Sequence, residues 1–138
     1  LKDAVDMNLV MFCANPDFVT IEKNNDKNMY CMGTVADLYD HMGGKVVILG
    51  KPSNIIYEES CKNIVNLNKS KIVAIGDSID HDILGANNFN IDSVLISMGI
   101  HKDLFVKGPE IALTEIKNSK KWNFSPTYIC ENFSFNCA

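Results

Sequence analysis

Three charged side chains follow apolar segments of the sequence, at positions where a regular fold could place a functional site. Lys51 comes after the run KVVIL, and Asp77 comes after the run KIVAI. Asp82 lies five positions beyond Asp77. Two carboxylates and an ammonium group, without a His or Cys cluster, suit a hard cation such as magnesium together with a phosphate group, because magnesium prefers oxygen ligands and lysine supplies a point charge for phosphate oxygens. These residue types therefore indicate a magnesium and phosphate site.

The elements that would position these residues alternate between strands and helices. KVVIL, KIVAI and the later run SVLIS have the length and β-branched composition of buried strands. Helices are predicted between them, one from the cap residue Ser53 to about Asn66 and one over residues 80–88. This alternation predicts an α/β fold with parallel strands, whose ligands collect outside the carboxyl ends of the strands. We therefore expect Lys51 and Asp77 to face one pocket from neighbouring parallel strands.

The flanking segments carry further secondary-structure signals. The run NLVMFCA at 8–14 predicts a strand, the polar stretch at 22–28 predicts an exposed loop, and a helix is predicted over residues 34–42 with Gly43-Gly44 at its end. Near the C terminus we expect a helix over 113–117 and a short strand over 127–130. The apolar face predicted for the helix at 34–42 comprises Val35, Leu38, Tyr39 and Met42. The aromatic residues expected to cover an edge of the core are Trp122, Phe124, Phe133 and Phe135.

Each charged residue also has an ordinary structural explanation. An Asp after Gly at a strand end is usually a turn residue, an Asp in a first helical turn complements the helix dipole, and an isolated Lys is usually solvated. Only the joint arrangement favours a functional site. A phospho-receiver domain needs its acidic pair early and its lysine late, which is the reverse of the order here. A nucleotide-binding P-loop needs Ser or Thr after its Lys, whereas Pro52 follows Lys51.

Four motifs occur in an order that is typical of one enzyme family. GKP at 50–52 is followed by GDSIDHDI at 76–83, with ANPD at 14–17 upstream and SMGIH at 97–101 downstream. In this order and spacing the chain resembles the haloacid dehalogenase-like hydrolases, in their capped class IIA branch. The resemblance implies a Rossmann-like haloacid dehalogenase core, present in part, with a remnant of the cap domain. It assigns residues 1–43 to the C-terminal remnant of the cap and residues 44–138 to the C-terminal part of the core.

The resemblance also implies an activity and residue roles. The activity is magnesium-dependent hydrolysis of phosphomonoesters through an aspartyl-phosphate intermediate. Lys51 would be the catalytic and phosphate-binding residue, while Asp77 would bind magnesium and Asp82 would support that metal site. Asn15 and Asp17 would lie at the end of the cap, near the substrate entrance. The substrate would be a small phosphorylated metabolite, with sugar phosphates, nucleotides and phosphoglycolate all open.

One part of the family pattern does not occur in this sequence. The nucleophile motif, DxDG or a close variant on the first core strand, and the segment with the phosphoryl-binding Ser or Thr are absent from residues 1–138. We therefore expect the chain to be inactive alone, to begin within a longer protein or to be one part of it, and to need the N-terminal half of that protein as its partner. A truncated, non-catalytic remnant or interaction module of the same fold is the alternative.

Composition limits the other partners and the compartment. The net charge of -4 and the pI near 5.3 argue against binding to nucleic acid or to an anionic membrane. No apolar run approaches the roughly 20 residues that a membrane span needs. Five cysteines without a CxxC pair favour a reducing cytoplasm over a disulfide framework or a zinc site. The basic cluster Lys117, Lys120 and Lys121 is expected to be a solvated helix end, and the scattered His41, His81 and His101 to be structural or solvent-facing.

Overall fold

The computed structural model describes residues 1–21 and 28–134 of the chain. Nearly all of the loop predicted at 22–28, as well as Phe135, lies outside the described residues. The chain divides into two compact units, Leu1–Ile56 and Tyr57–Ala138, and each is described here by itself. Within the described part of the chain, the model contains no helix with the length and apolar character needed to cross a membrane.

The first unit contains a parallel strand pair and an antiparallel strand pair. Its elements are α1 (Lys2–Asp6), β1 (Val10–Cys13), β2 (Val19–Ile21), β3 (Asn28–Tyr30), α2 (Met32–His41) and β4 (Lys45–Ile48), and α3 (Asn54–Cys61) follows them. Strand β1 pairs with β4 in parallel, with Val10 opposite Lys45 and Cys13 opposite Ile48. Strands β2 and β3 pair in antiparallel fashion. The strands predicted from NLVMFCA and KVVIL are therefore confirmed, and they pair with each other.

The buried face of helix α2 agrees with the prediction at Tyr39 but differs from it at Leu38 and Met42. Its buried residues are Gly33, Ala36 and Tyr39, whereas Leu38 is 52% exposed and Met42 is 39% exposed. Gly33 is required at its position because backbone lies directly above it: a methyl group there would lie 2.5 Å from the carbonyl carbon of Pro16. The helix ends at His41, close to the predicted end at 42, and the chain then turns through Gly43, whose φ of 89° favours glycine.

The second unit is built on a three-stranded parallel sheet in the order β5-β6-β7. Its strands are β5 (Val73–Gly76), β6 (Asp92–Ile96) and β7 (Tyr128–Cys130), and its helices are a 3₁₀ turn (Lys69–Lys71), a π-helix (Ile79–Ile83), α4 (Leu84–Phe89), a second 3₁₀ turn (Lys102–Phe105) and α5 (Pro109–Asn118). The predicted parallel α/β architecture is confirmed. The expectation that KVVIL and KIVAI form neighbouring strands is wrong, because β4 and β5 belong to different sheets. Apolar composition predicts a strand but not its partner, since pairing is made by backbone groups.

The core of the second unit lies between the sheet and the helices around it. Ile79, Ile83, Leu95 and Ile116 are fully buried and in contact, and burial of each such side chain contributes about 1.5–3 kcal/mol. Trp122 and Phe124 pack against this cluster, as predicted, whereas Phe133 is 58% exposed.

The helix predicted from Ser53 to about Asn66 is shorter than expected. Ser53 accepts a hydrogen bond from the backbone N–H of Ile55 at 3.4 Å, in agreement with its predicted capping role. The helix ends at Cys61, however, and Ile64 and Val65 beyond it are 52% and 86% exposed. Their apolar character misled the prediction, because periodicity does not show whether a packing partner exists.

Candidate functional site

The carboxyl end of β5 carries Asp77, which is held against the loop after β6. One carboxylate oxygen, Oδ2, accepts a hydrogen bond from the backbone N–H of Ile100 at 3.1 Å. Gly99 permits this approach, since a methyl group there would lie 2.7 Å from Cγ of Asp77. Among the described residues this is the only hydrogen bond to the Asp77 carboxylate, which is half-buried. Asp77 thus presents an oriented carboxylate at the ligand-binding edge of the parallel sheet.

Asp82 turns back toward the same strand end. The chain after Ser78 forms the π-helix Ile79–Ile83, and Asp82 is buried within it, with 6% exposure. Its Oδ2 accepts a hydrogen bond from the backbone N–H of Ser78 at 3.0 Å, and its carboxyl group lies directly above Gly76. Burial, followed by the charge of Asp82, raises the pKa of Tyr57, whose hydroxyl donates to the Asp82 carbonyl oxygen at 3.4 Å. The π-turn therefore returns a carboxylate to the end of β5.

The chemistry of this strand end fits magnesium. Asp77 and Asp82 offer carboxylate oxygens, and magnesium is commonly bound through one or two carboxylates while it keeps several waters. In the described ranges there is no group of three or more His, Cys, Asp or Glu side chains that could enclose a metal ion. Two carboxylates, each held by a backbone N–H, are thus what this unit can contribute to a metal site.

Lys51, Asn15 and Asp17 lie in the first unit, on the turns that follow its paired parallel strands. The backbone N–H of Leu49 bonds to the carbonyl oxygen of Cys13 at 2.9 Å, so the ANPD turn and the GKP turn leave the sheet side by side. A methyl group on Gly50 would lie 3.0 Å from the Ala14 carbonyl carbon. Asn15 accepts a hydrogen bond from the Asp17 backbone N–H at 3.2 Å, which shapes the turn, and the Lys51 side chain is exposed.

The structure thus brings the predicted residues together in two sets. Asp77 follows β5 and Asp82 packs over Gly76 at the end of that strand, while Lys51 shares the end of the β1 and β4 pair with Asn15 and Asp17. The roles assigned to all five residues stay predictions, as does the pocket shared by Lys51 and Asp77.

A second polar cluster beside the π-helix was missed by the sequence reasoning. Asp80 accepts hydrogen bonds from the indole N–H of Trp122 and from the Lys121 ammonium group, both at 2.8 Å. Desolvation opposes ionisation of Asp80, but these hydrogen bonds and the charge of Lys121 outweigh it, so that the pKa of Asp80 lies below its ordinary value. Lys121 was predicted to be solvated, and although its side chain is 64% exposed, it is paired. No sequence signal links Asp80 to partners some forty residues away.

His101 completes this cluster. Its ring meets that of Trp122 edge to face, with centroids 5.9 Å apart, and its buried Nε2 has no hydrogen-bond partner in the described part of the chain. Desolvation lowers the pKa of His101, with Lys121 acting in the same direction and the carboxylates of Asp80 and Asp77 opposing it. His101 directly follows Ile100, whose backbone N–H donates to Asp77. The cluster therefore adjoins the loop that orients the Asp77 carboxylate.

The family assignment follows from residues 48–134, which match a family model described as HAD-hydrolase-like and make up well over half of the chain. The chain belongs to the haloacid dehalogenase-like hydrolase family. The match includes Asp77 and Asp82 on the strand end described above, as well as the GKP turn. No curated protein sequence matches the chain.

Several solved structures are similar to this member of the family over nearly its whole length. A haloacid dehalogenase-like hydrolase from Brucella suis 1330 is 28% identical, with a TM-score of 0.69, and the match covers 96% of this chain and 47% of that one. A possible sugar phosphatase from Cytophaga hutchinsonii is 26% identical, with a TM-score of 0.64 and coverage of 89% and 41%. The p-nitrophenyl phosphatase from Archaeoglobus fulgidus shares the fold, with 22% identity, a TM-score of 0.69 and coverage of 94% and 46%. The chain thus spans slightly less than half the length of each of these three relatives.

Proposed function

We propose that this chain supplies the metal-binding and phosphate-binding residues of a magnesium-dependent phosphomonoester hydrolase. The observation that carries the proposal is that two carboxylates are placed by the end of β5: Asp77 directly follows the strand, and the π-turn returns Asp82 to its last residue, Gly76. Membership of the haloacid dehalogenase-like family supports the reaction class. When bound there, magnesium supplies positive charge that offsets the charge of the phosphoryl group.

Within this proposal the side chains of the chain have separate tasks. Asp77 and Asp82 hold the metal through their carboxylate oxygens, and the hydrogen bonds from Ile100 and Ser78 keep each carboxylate oriented. The Lys51 ammonium group binds phosphoryl oxygens and stabilises charge as phosphoryl transfer proceeds, which is mainly a matter of positioning and electrostatics.

The nucleophile of the proposed reaction comes from outside residues 1–138. An Asp in a DxDG segment would attack phosphorus and form an aspartyl-phosphate, and the N-terminal half of the protein would provide that segment as a partner. Strand β5 supports this arrangement, since β6 is its one ladder partner among the described residues. Val73 and Ile75 on β5 are also 46% and 44% exposed, which is high for a strand of a parallel sheet.

The substrate class and the compartment are further parts of the proposal. The substrate is a small phosphorylated metabolite, approached past Asn15 and Asp17 at the remnant of the cap, for which residues 1–43 remain the proposed extent. The reducing cytoplasm is proposed from the cysteine pattern of the sequence.

The test combines the chain with its separately produced N-terminal half and follows hydrolysis of p-nitrophenyl phosphate in the presence of magnesium. We expect activity that needs both halves and is lost when the metal is chelated. Asp77→Asn should abolish it, and Lys51→Ala should lower kcat by about a hundredfold or more, as removal of a charge-stabilising group does in other enzymes. Asp103→Asn, an exposed Asp of the same unit, is the matched control and should retain activity.

The alternative is a non-catalytic remnant or interaction module of the same fold. The absence of a DxDG motif from the 138 residues favours it. Two folded halves that associate without any hydrolysis would support this alternative and refute the enzyme. Hydrolysis that is unaffected by Asp77→Asn would contradict the alternative and refute the metal-binding role of Asp77.

A further inference from the structure

Asp80 lies between the two proposed metal ligands in the sequence, and both of its carboxylate oxygens have hydrogen-bond partners elsewhere in the unit. Its Oδ1 accepts the indole N–H of Trp122 at 2.8 Å, and its Oδ2 accepts the Lys121 ammonium group at 2.8 Å. Both oxygens are therefore engaged by cationic or N–H donors that reach Asp80 from the segment after α5. This carboxylate is unsuited to serve as a metal ligand, and it forms the outer attachment of the π-helix.

The π-helix Ile79–Ile83 is attached on its inner side as well. Ile79 and Ile83 are fully buried in the core of the unit. Ser78 accepts a hydrogen bond from the backbone N–H of His81 at 3.2 Å and lies 3.0 Å from the His81 ring. A π-turn is rare and less favourable than a continuous α-helix, and it persists where its surroundings hold it. Asp80 supplies a further attachment, through its hydrogen bonds to Lys121 and Trp122.

Trp122 links this attachment to the other metal ligand. Its ring packs against the core that contains Ile79 and Ile83, and it meets the His101 ring edge to face. His101 directly follows Ile100, whose N–H orients the Asp77 carboxylate. The Asp80 and Trp122 pair thus contacts both the turn that carries Asp82 and the loop that orients Asp77.

We propose that Asp80, held by Trp122 and Lys121, is a positioning residue that fixes the π-turn and so sets the geometry of the metal site. This inference rests on the proposed function, because it assigns Asp80 a task in the site formed by Asp77 and Asp82. Groups that orient metal ligands without touching the metal typically change metal affinity by about 10–100-fold when they are removed. We expect a loss of magnesium affinity of similar size when the Asp80 carboxylate is removed.

The experiment uses Trp122, the single tryptophan of the chain, as a reporter. The full chain, together with its N-terminal half, is titrated with magnesium while tryptophan fluorescence is recorded. We expect a saturable change that Asp77→Asn removes. Asp80→Ala should weaken magnesium affinity about tenfold or more. Asp80→Asn keeps an acceptor for the indole and should fall between Asp80→Ala and the unsubstituted chain, and Asp103→Asn should match the latter.

A second variant separates positioning from folding. Trp122→Phe removes the indole N–H while keeping an aromatic ring in the core, and manganese binding followed by electron paramagnetic resonance replaces the fluorescence signal. We expect a loss of manganese affinity similar to that of Asp80→Asn, in samples whose circular dichroism matches the unsubstituted protein.

The possible results distinguish the proposed function from the positioning role of Asp80. Metal binding that does not depend on Asp77 would refute the proposed function and, with it, the role of Asp80. Metal binding that depends on Asp77 but is equally tight in Asp80→Ala and Trp122→Phe leaves the proposed function standing and overturns the role of Asp80. Lower metal affinity in both Asp80→Ala and Trp122→Phe, with unchanged circular dichroism, would establish the positioning role of Asp80.

Discussion

The close packing of Asp82 over Gly76 makes a quantitative prediction for Gly76→Ala. A methyl group at this position would lie 2.5 Å from Cβ of Asp82 and closer still to its carboxyl group. Carbon atoms in ordinary contact are about 3.5–4.0 Å apart, so the Asp82 side chain must move by about 1 Å or more. That movement breaks the 3.0 Å hydrogen bond from the Ser78 backbone N–H to the buried carboxylate.

The expected cost follows from two opposing effects. Loss of a hydrogen bond to a charged acceptor costs about 1.5–3 kcal/mol. Replacement of Gly by Ala within a strand stabilises by about 0.5–1 kcal/mol, because the unfolded chain loses freedom, and the φ of Gly76 lies outside the left-handed region. The free energy of unfolding should therefore fall by about 0.5–2.5 kcal/mol.

Urea denaturation followed by Trp122 fluorescence measures this free energy for the second unit. The control is Asp82→Gly, which removes the three atoms nearest to the new methyl group. In that background only the favourable effect remains, so Gly76→Ala should be neutral or stabilising by about 0.5–1 kcal/mol. Equal destabilisation in both backgrounds would mean that the methyl group meets something other than Asp82, and the proposed packing would be wrong.

Two further predictions concern the same unit. Thr127→Val should lower the free energy of unfolding by about 1–3 kcal/mol in urea denaturation, because it removes the acceptor of the fully buried Ser93 backbone N–H at 3.1 Å; Thr127→Ser keeps the hydroxyl and should lose much less, and equal losses would contradict this account. The lowered pKa of His101 means that the unfolded chain takes up a proton before the folded one, so stability should fall as the pH decreases below about 6.5. His101→Phe should make that fall shallower between pH 7.5 and 5.5, and an unchanged pH dependence would show that this imidazole is not the group responsible.

Local signals in the sequence predicted most of the elements correctly. Short apolar runs became β1, β4, β5 and β6, and α2 ended just before the double glycine, as expected. These features depend on residues close together in the chain, where turn chemistry and side-chain periodicity act directly. The motif GDSIDHDI likewise indicated the strand end, because a polar turn after a buried strand identifies the edge at which ligands collect.

The tertiary structure decided which strands pair and which face of a helix is buried. Strand β4 pairs with β1 and not with β5, and α2 buries Gly33 and Ala36 while Leu38 is exposed. Backbone hydrogen bonds carry no side-chain identity, and a helix buries whichever face meets a partner. Asp80 shows the same division: its residue type is plain in the sequence, but its bond to Trp122 exists only because the fold brings a segment from beyond α5 against the π-helix.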